Sequence, residues 1–292
     1  MSIFDIFKKT AKNNLFSTVK SLEKNSILIK IDENKKITNP AISKFGGKPY
    51  LPADFVWPQF TCAEDGIERP LSFFCQINME DVKAYDRENI LPKSGMLYFF
   101  YECESFTWGF DPKDAGAARV FWYDLTEDFK PLDPPTEVSE EYLIPEIAIS
   151  FKAVKSYPKF EEFVALTGVE CDFEDYDKCL EKLGVDIDAD PEEHKLLGYA
   201  DLIQDEMLTQ CERVSRGLSC GDPESYSETP PSLTVEINKC APQWTMLLQL
   251  STVSAGDFEY MFGDCGMLYF FIKKTDLLDK RFDRALFAVQ CG

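Results

Sequence analysis

The sequence predicts an α+β fold that is β-rich and internally duplicated, with mainly antiparallel sheet units and a few peripheral helices. Three observations carry this. The hexapeptide Gly95-Met96-Leu97-Tyr98-Phe99-Phe100 recurs unchanged at Gly266-Met267-Leu268-Tyr269-Phe270-Phe271. Each copy follows a strand-like run holding a glutamine, Gln76 or Gln249, with glutamine-to-glycine spacings of 19 and 17 residues. The segments Asn78 to Glu88 and Thr275 to Arg281 are short and polar, which suits turns or single helical turns between antiparallel neighbours rather than long crossovers.

The repeat extends in both directions. Upstream, Ser43-Lys44-Phe45-Gly46-Gly47-Lys48-Pro49-Tyr50-Leu51 matches His194-Lys195-Leu196-Leu197-Gly198-Tyr199-Ala200-Asp201-Leu202 in its order of basic, apolar, glycine and apolar positions. Downstream, Arg119 to Tyr123 matches Arg284 to Val289. Residues 1–37 therefore read as an amphipathic helix and a lead-in strand, 38–130 as the first copy, 131–192 as an acidic helical connector and 193–292 as the second copy, the whole forming one globular domain. The period is too long for a stacked solenoid.

Each element has a local reason. Ile3, Phe4, Phe7, Ala11, Leu15, Val19 and Leu22 recur at helical spacing among lysines, predicting an opening helix that packs on its own domain or touches a membrane surface. Ile27 to Ile31 reads as a strand. The GMLYFF runs are apolar on both faces, so they read as central buried strands. Phe160 to Leu166 and Phe173 to Leu183 read as helices, with Gly184 stopping the second.

Composition bounds the function. The 292 residues carry 31 Lys and Arg against 51 Asp and Glu, a net charge of −20. Nucleic-acid phosphate is then an unfavourable partner, and a basic protein a favourable one. The excess is concentrated between 161 and 193, where thirteen acids face two lysines, either as solvated helices or as a docking surface. No run approaches the ~18 apolar residues of a membrane span, and the N-terminus lacks a secretory leader, so a cytoplasmic protein is expected. Ten scattered cysteines without a Cys-x-x-Cys pair read as reduced thiols.

Sites for chemistry are few. With a single histidine and no cysteine pair at ligand spacing, neither a structural zinc nor any other metal or cofactor is predicted. Asp186, Asp188 and Asp190 resemble the start of a calcium loop, but the turn glycine and the terminal glutamate are missing. His194 is the one group that titrates near neutrality, with Asp201, Asp205 and Glu206 as carboxylates within chain reach; the other reading is a structural histidine. Trp108-Gly109-Phe110-Asp111 forms an aromatic loop that either stacks on a ligand or closes over the core. A pocket between the copies would gather His194, Asp201 and Gln204 with Trp108 over its mouth. Asp111, Gln76, Gln249 and Asp264 complete the candidates, and Asp264, in Gly263-Asp264-Cys265, also fits an ordinary turn.

Taken together, the Phe45-Gly46-Gly47-Lys48-Pro49-Tyr50-Leu51-Pro52 loop, the Phe74-Cys75-Gln76-Ile77 strand, the two GMLYFF runs, Trp108 to Asp111, His194 to Gln204 and Leu247-Leu248-Gln249-Leu250 resemble the YwqG-like proteins of unknown function found mainly in bacteria. The resemblance covers nearly all of the chain after residue 38. It implies a duplicated β-rich fold and no established catalytic residues. It also implies a role near secreted toxins, as an immunity or toxin-neutralising protein, which acidity would suit.

Overall fold

The computed structural model describes residues 14–125, 128–187 and 194–292. Ten strands form one sheet: β1 Lys24–Asp32, β2 Lys44–Phe45, β3 Ser72–Asn78, β4 Met96–Tyr101, β5 Ala118–Tyr123, β6 Ile147–Ser156, β7 His194–Leu196, β8 Trp244–Leu250, β9 Met267–Lys273 and β10 Leu286–Gln290. Their order is β10-β9-β8-β7-β1-β6-β2-β3-β4-β5. Every pairing is antiparallel.

That order is symmetric about the β1–β6 pair, which runs from Lys24 opposite Ser156 to Asp32 opposite Ala148. The earlier of these two strands borders β7 and the later borders β2. Each therefore lies against the half of the sheet that the other leads into. The sequence reading placed only helices between 131 and 192, and β6 was missed there. Its two faces explain this: Ile147 and Ile149 are core, whereas Ser150 and Lys152 are exposed and Ser156 is a buried polar residue, so its apolar run is short.

The sheet curls until its two ends meet. Phe99 of β4 and Phe270 of β9 stand 5.1 Å apart between ring centroids, and Tyr101 packs on Phe287 of β10 at 5.7 Å. The inner faces of both halves thus bury one common core, including Ile27, Phe45, Phe74, Leu97, Leu248 and Val289. The two GMLYFF strands lie one strand in from each edge rather than at the centre. They are apolar on both sides because their outer faces are covered too. Tyr98 and Phe100 sit beside Tyr123, Phe55 and Trp57. Met267, Tyr269 and Phe271 pack with Leu208 and Cys211.

Helices cover the outside. Residues 14–21 form α1, followed by α2 Met79–Val82, α3 Phe160–Thr167, α4 Phe173–Lys182, α5 Leu208–Ser215, α6 Pro223–Glu228, α7 Pro231–Cys240 and α8 Lys274–Leu278. α1, α3 and α4 share a second cluster of Leu15, Val19, Phe163, Tyr176, Cys179 and Leu180. Gly168 and Gly184, both left-handed, follow α3 and α4, as helix C-termini favour. The short α2 and α8 occupy the two segments expected to hold single turns. The apolar stripe from Ile3 to Ala11 and the residues Asp188 and Asp190 lie outside the described residues. All ten cysteines are thiols. No helix among the described residues is long and apolar enough to cross a membrane.

Candidate functional site

The outer face carries two matching polar rows. On one side Lys44, Gln76 and Tyr98 lie opposite one another on β2, β3 and β4. On the other, Lys195, Gln249 and Tyr269 do so on β7, β8 and β9. Each row holds down a loop crossing above it. Gln76 Oε1 accepts from Tyr50 N at 2.8 Å, and Tyr98 OH donates to Tyr50 O. Equivalently, Gln249 Oε1 accepts from Asp201 N at 2.8 Å, and Tyr269 OH donates to Asp201 O at 2.6 Å. Both backbone groups of the crossing residue are thus satisfied by side chains of the sheet beneath. Burial pushes both tyrosine hydroxyls well above the ordinary phenol range, so each remains a donor.

The same correspondence reaches the turns. β3 and β8 each shift register just before the glutamine, between Phe73 and Cys75 and between Met246 and Leu248. The bulged residues turn a carbonyl aside: Gly46 N donates to Phe74 O at 2.9 Å and Leu197 N to Leu247 O at 3.2 Å, as a residue unpaired by a bulge permits. Two left-handed residues follow in each half of the sheet, Gly46 with Gly47 and Leu197 with Gly198. A Cβ on Gly198 would lie 2.7 Å from that of Ser26, which fixes glycine there.

The two lysines find different partners. Lys44 Nζ donates to Lys48 O at 2.8 Å and pairs with the Glu146 carboxylate. Lys195 Nζ pairs with Asp201 Oδ2 at 2.6 Å, and Gln249 Nε2 donates to the same oxygen at 2.8 Å. Lys195 and Asp201 line a pocket of about 450 Å³ on the outer face, with Ser156, Lys155, Lys159 and Asp177 also on its wall.

The sequence candidates separate accordingly. His194 and Lys195 are adjacent on β7 and point to opposite faces: His194 is opposite Ile29 and packs on Phe45 of the core at 4.9 Å. Its Nδ1 accepts from Ser251 N at 3.1 Å. Burial pushes its pKa down to about 4, leaving a neutral imidazole. His194 and Asp201 therefore lie on opposite sides of the sheet. Gln204 is elsewhere, its Nε2 donating to Cys291 O at 2.9 Å. Asp264 is exposed in a tight turn, where its carbonyl accepts from Gly292 N. Gln76 donates to Pro40 O and Ile42 O, both at 2.7 Å, so both glutamines anchor loops.

Trp108 sits in the loop joining β4 to β5. Its carbonyl accepts from Val289 N at 3.0 Å, which ties the first half of the chain to the β10 edge. Gly109 makes this possible, since at φ +78 a Cβ there would meet Phe287 O at 2.3 Å. The loop's other amides turn inward: Glu102, 1% exposed, accepts from the Glu104 and Ser105 amides, and Asp114 accepts from Gly109 N at 2.9 Å. Phe106 takes a left-handed φ of +50, a strain on the order of 1–2 kcal/mol for a bulky residue. Asp111 caps the turn of Pro112–Asp114 through Lys113 N. So the backbone closes over the sheet while Trp108 as a residue stays 38% exposed.

The acidic layer comes from α3, α4 and their flanks. Glu161, Glu170, Asp172, Glu174, Glu181 and Asp186 are exposed. One acid goes inside: Glu162 is 4% exposed, and its Oε2 has no hydrogen-bond partner. Burial raises its pKa against the attraction of Lys24. Burial lowers that of Lys24 in turn, whose ammonium lies 3.8 Å from the Tyr199 ring centroid.

Sequence reasoning missed Lys44, Lys195, Tyr98, Tyr269 and Glu162. It also missed Gln290, which accepts from the Ile203 and Gln204 amides, both at 3.1 Å. A signal existed for the rows, because a lysine, glutamine or tyrosine in an otherwise apolar strand needs a buried partner. None existed for Glu162, which sits among solvated acids. No curated protein matches the chain. A family model does match residues 43–291, a span that takes in both polar rows, the Trp108 loop and the acidic layer; the chain belongs to that family, a domain of unknown function (DUF1963).

Proposed function

We propose that the protein is a binding module that engages the basic face of a protein partner through the acidic layer of α3 and α4. The observation carrying this reading is an excess of exposed acid over base on one layer. Six exposed carboxylates are spread over residues 161–186, and of the two lysines there Lys178 already lies within 3.5–3.7 Å of Glu174 and Asp175. Such a field accelerates encounter with a basic surface. A toxin-neutralising role would be one form of it, resting on the family resemblance alone. The test is affinity capture with the full chain and with a variant carrying Glu161→Gln, Glu170→Gln, Asp172→Asn, Glu174→Gln and Glu181→Gln. A single stoichiometric basic protein retained by the first and lost by the second supports the reading; equal retention overturns it.

A second reading, a small-ligand protein or enzyme with a pocket between the copies, draws on the pocket at Asp201. His194 would not line it. A metabolite that gives a saturable thermal shift, abolished by Asp201→Asn, would favour this reading.

The matched rows, bulges and left-handed turns support reading the chain as two copies of one unit, 38–130 and 193–292. On that reading β1 and β6 are equivalent lead strands, exchanged between the halves.

A further inference from the structure

We propose that the pocket beside Trp108 takes the guanidinium of an arginine side chain presented by a basic partner; this rests on the binding-module reading and adds a contact point to it. The pocket, of about 440 Å³, is walled by Phe106, Trp108 and Phe110. The Trp108 ring stands at 88° to Phe106, with centroids 5.2 Å apart, and at 10° to Phe110, 6.2 Å away. These contacts fix the indole, and Trp108 as a residue stays 38% exposed.

Charge on the same wall selects the ligand. Glu64, Asp111, Asp114 and Asp222 line the pocket against the single cation Lys113. Asp111 and Asp222 cap the turns that follow them, and Glu64 is exposed. Among the described residues, no lysine or arginine lies within ion-pair distance of these four. The strain is felt at Asp114, whose pKa is raised by burial and further by the Asp111 and Glu64 carboxylates. A second observation is independent of charge: Trp108, on the same wall, is a large apolar residue left exposed.

A metal ion does not suit this set, since no group of acids, histidines or cysteines among the described residues is arranged to hold one. An organic cation does. An aromatic face with carboxylates around it favours a planar cation that stacks and donates hydrogen bonds from its edge at once, which arginine does and lysine does not.

The test titrates N-acetyl-arginine methylamide into the full chain, following intrinsic fluorescence and calorimetry, with the uncharged citrulline analogue as control. Saturable binding is expected for the arginine probe at affinities on the order of millimolar, as befits a single side chain. The citrulline probe should bind at least about fivefold more weakly, and Trp108→Ala should lose a similar factor. Because Trp108→Ala also disturbs the loop, Glu64→Gln is the second variant: it should weaken the arginine probe about threefold and leave the citrulline probe unchanged. No saturation, equal binding of the two probes, or indifference to both substitutions overturns the proposal. Neutralising the α3 and α4 carboxylates should leave this titration as it was, so the acidic-layer reading and the arginine pocket can fail separately.

Discussion

Replacing Gln76 by leucine removes a fully buried side chain that serves three backbone groups, the carbonyls of Pro40 and Ile42 and the amide of Tyr50. An orphaned buried group costs about 1–3 kcal/mol. Here the 40–50 loop is only partly buried and can admit some water, so the lower end applies, and three groups give a loss of roughly 2–4 kcal/mol. Against total stabilities of about 5–15 kcal/mol this is large but survivable. Urea unfolding followed by far-UV circular dichroism and tryptophan fluorescence would measure it. Tyr98→Phe alone should cost about 1 kcal/mol. Because both side chains hold the Tyr50 backbone, the double variant should cost less than the sum by at least about 0.5 kcal/mol. A Gln76→Leu loss below about 1 kcal/mol, or strict additivity with Tyr98→Phe, would refute the claim that the row pins the loop.

Further outcomes follow from the same structure. Burial lowers the His194 pKa in the native state from 6.5 to about 4; between those values the unfolded chain takes up a proton that the native chain refuses. Stability should therefore be intact above pH 6.5 and fall by roughly 2–4 kcal/mol as the pH drops to 4, with His194→Asn removing that part of the slope in paired denaturation curves. Gly109→Ala should cost at least about 3 kcal/mol, more than Gly168→Ala at about 1 kcal/mol: both positions are left-handed, but only Gly109 would clash, with Phe287 O, while Gly168 has open space. Hydrogen exchange at Val289 N should speed up in the first variant alone. A thiol reagent should modify the exposed Cys265 first, and Cys75 and Cys211 last, since burial both hides those two and pushes their thiols up.

Much of the fold was legible because the strand residues themselves repeat. Leu97-Tyr98-Phe99-Phe100 and its copy are apolar on both faces, and only a covered, internal strand tolerates that. Lys44 to Leu51 and Lys195 to Leu202 also resemble each other at the level of single bonds: Tyr50 and Asp201 are gripped alike. What the sequence concealed depended on pairing across distance. Nothing local marks β6 as the partner of β1, since its exposed face reads as a solvated connector. The match of Arg119 with Arg284 failed for a related reason. The register sets Arg119 opposite Phe100 and Leu286 opposite Phe271, so Arg119 corresponds to Leu286. The candidate pocket was misjudged by strand alternation: Asp201 follows the outer-face Lys195, whereas His194 turns into the core. At Trp108 the backbone closes over the sheet, the second alternative, while the residue stays partly exposed.

The binding claim is tested most directly by the association rate of the full chain with its captured partner, measured at low and near-physiological salt beside the five-carboxylate variant. The account predicts that the variant associates at least about tenfold more slowly at low salt and that its rate barely responds to ionic strength, while its unfolding curve is unchanged. Equal rates and equal salt slopes for the two proteins would contradict it.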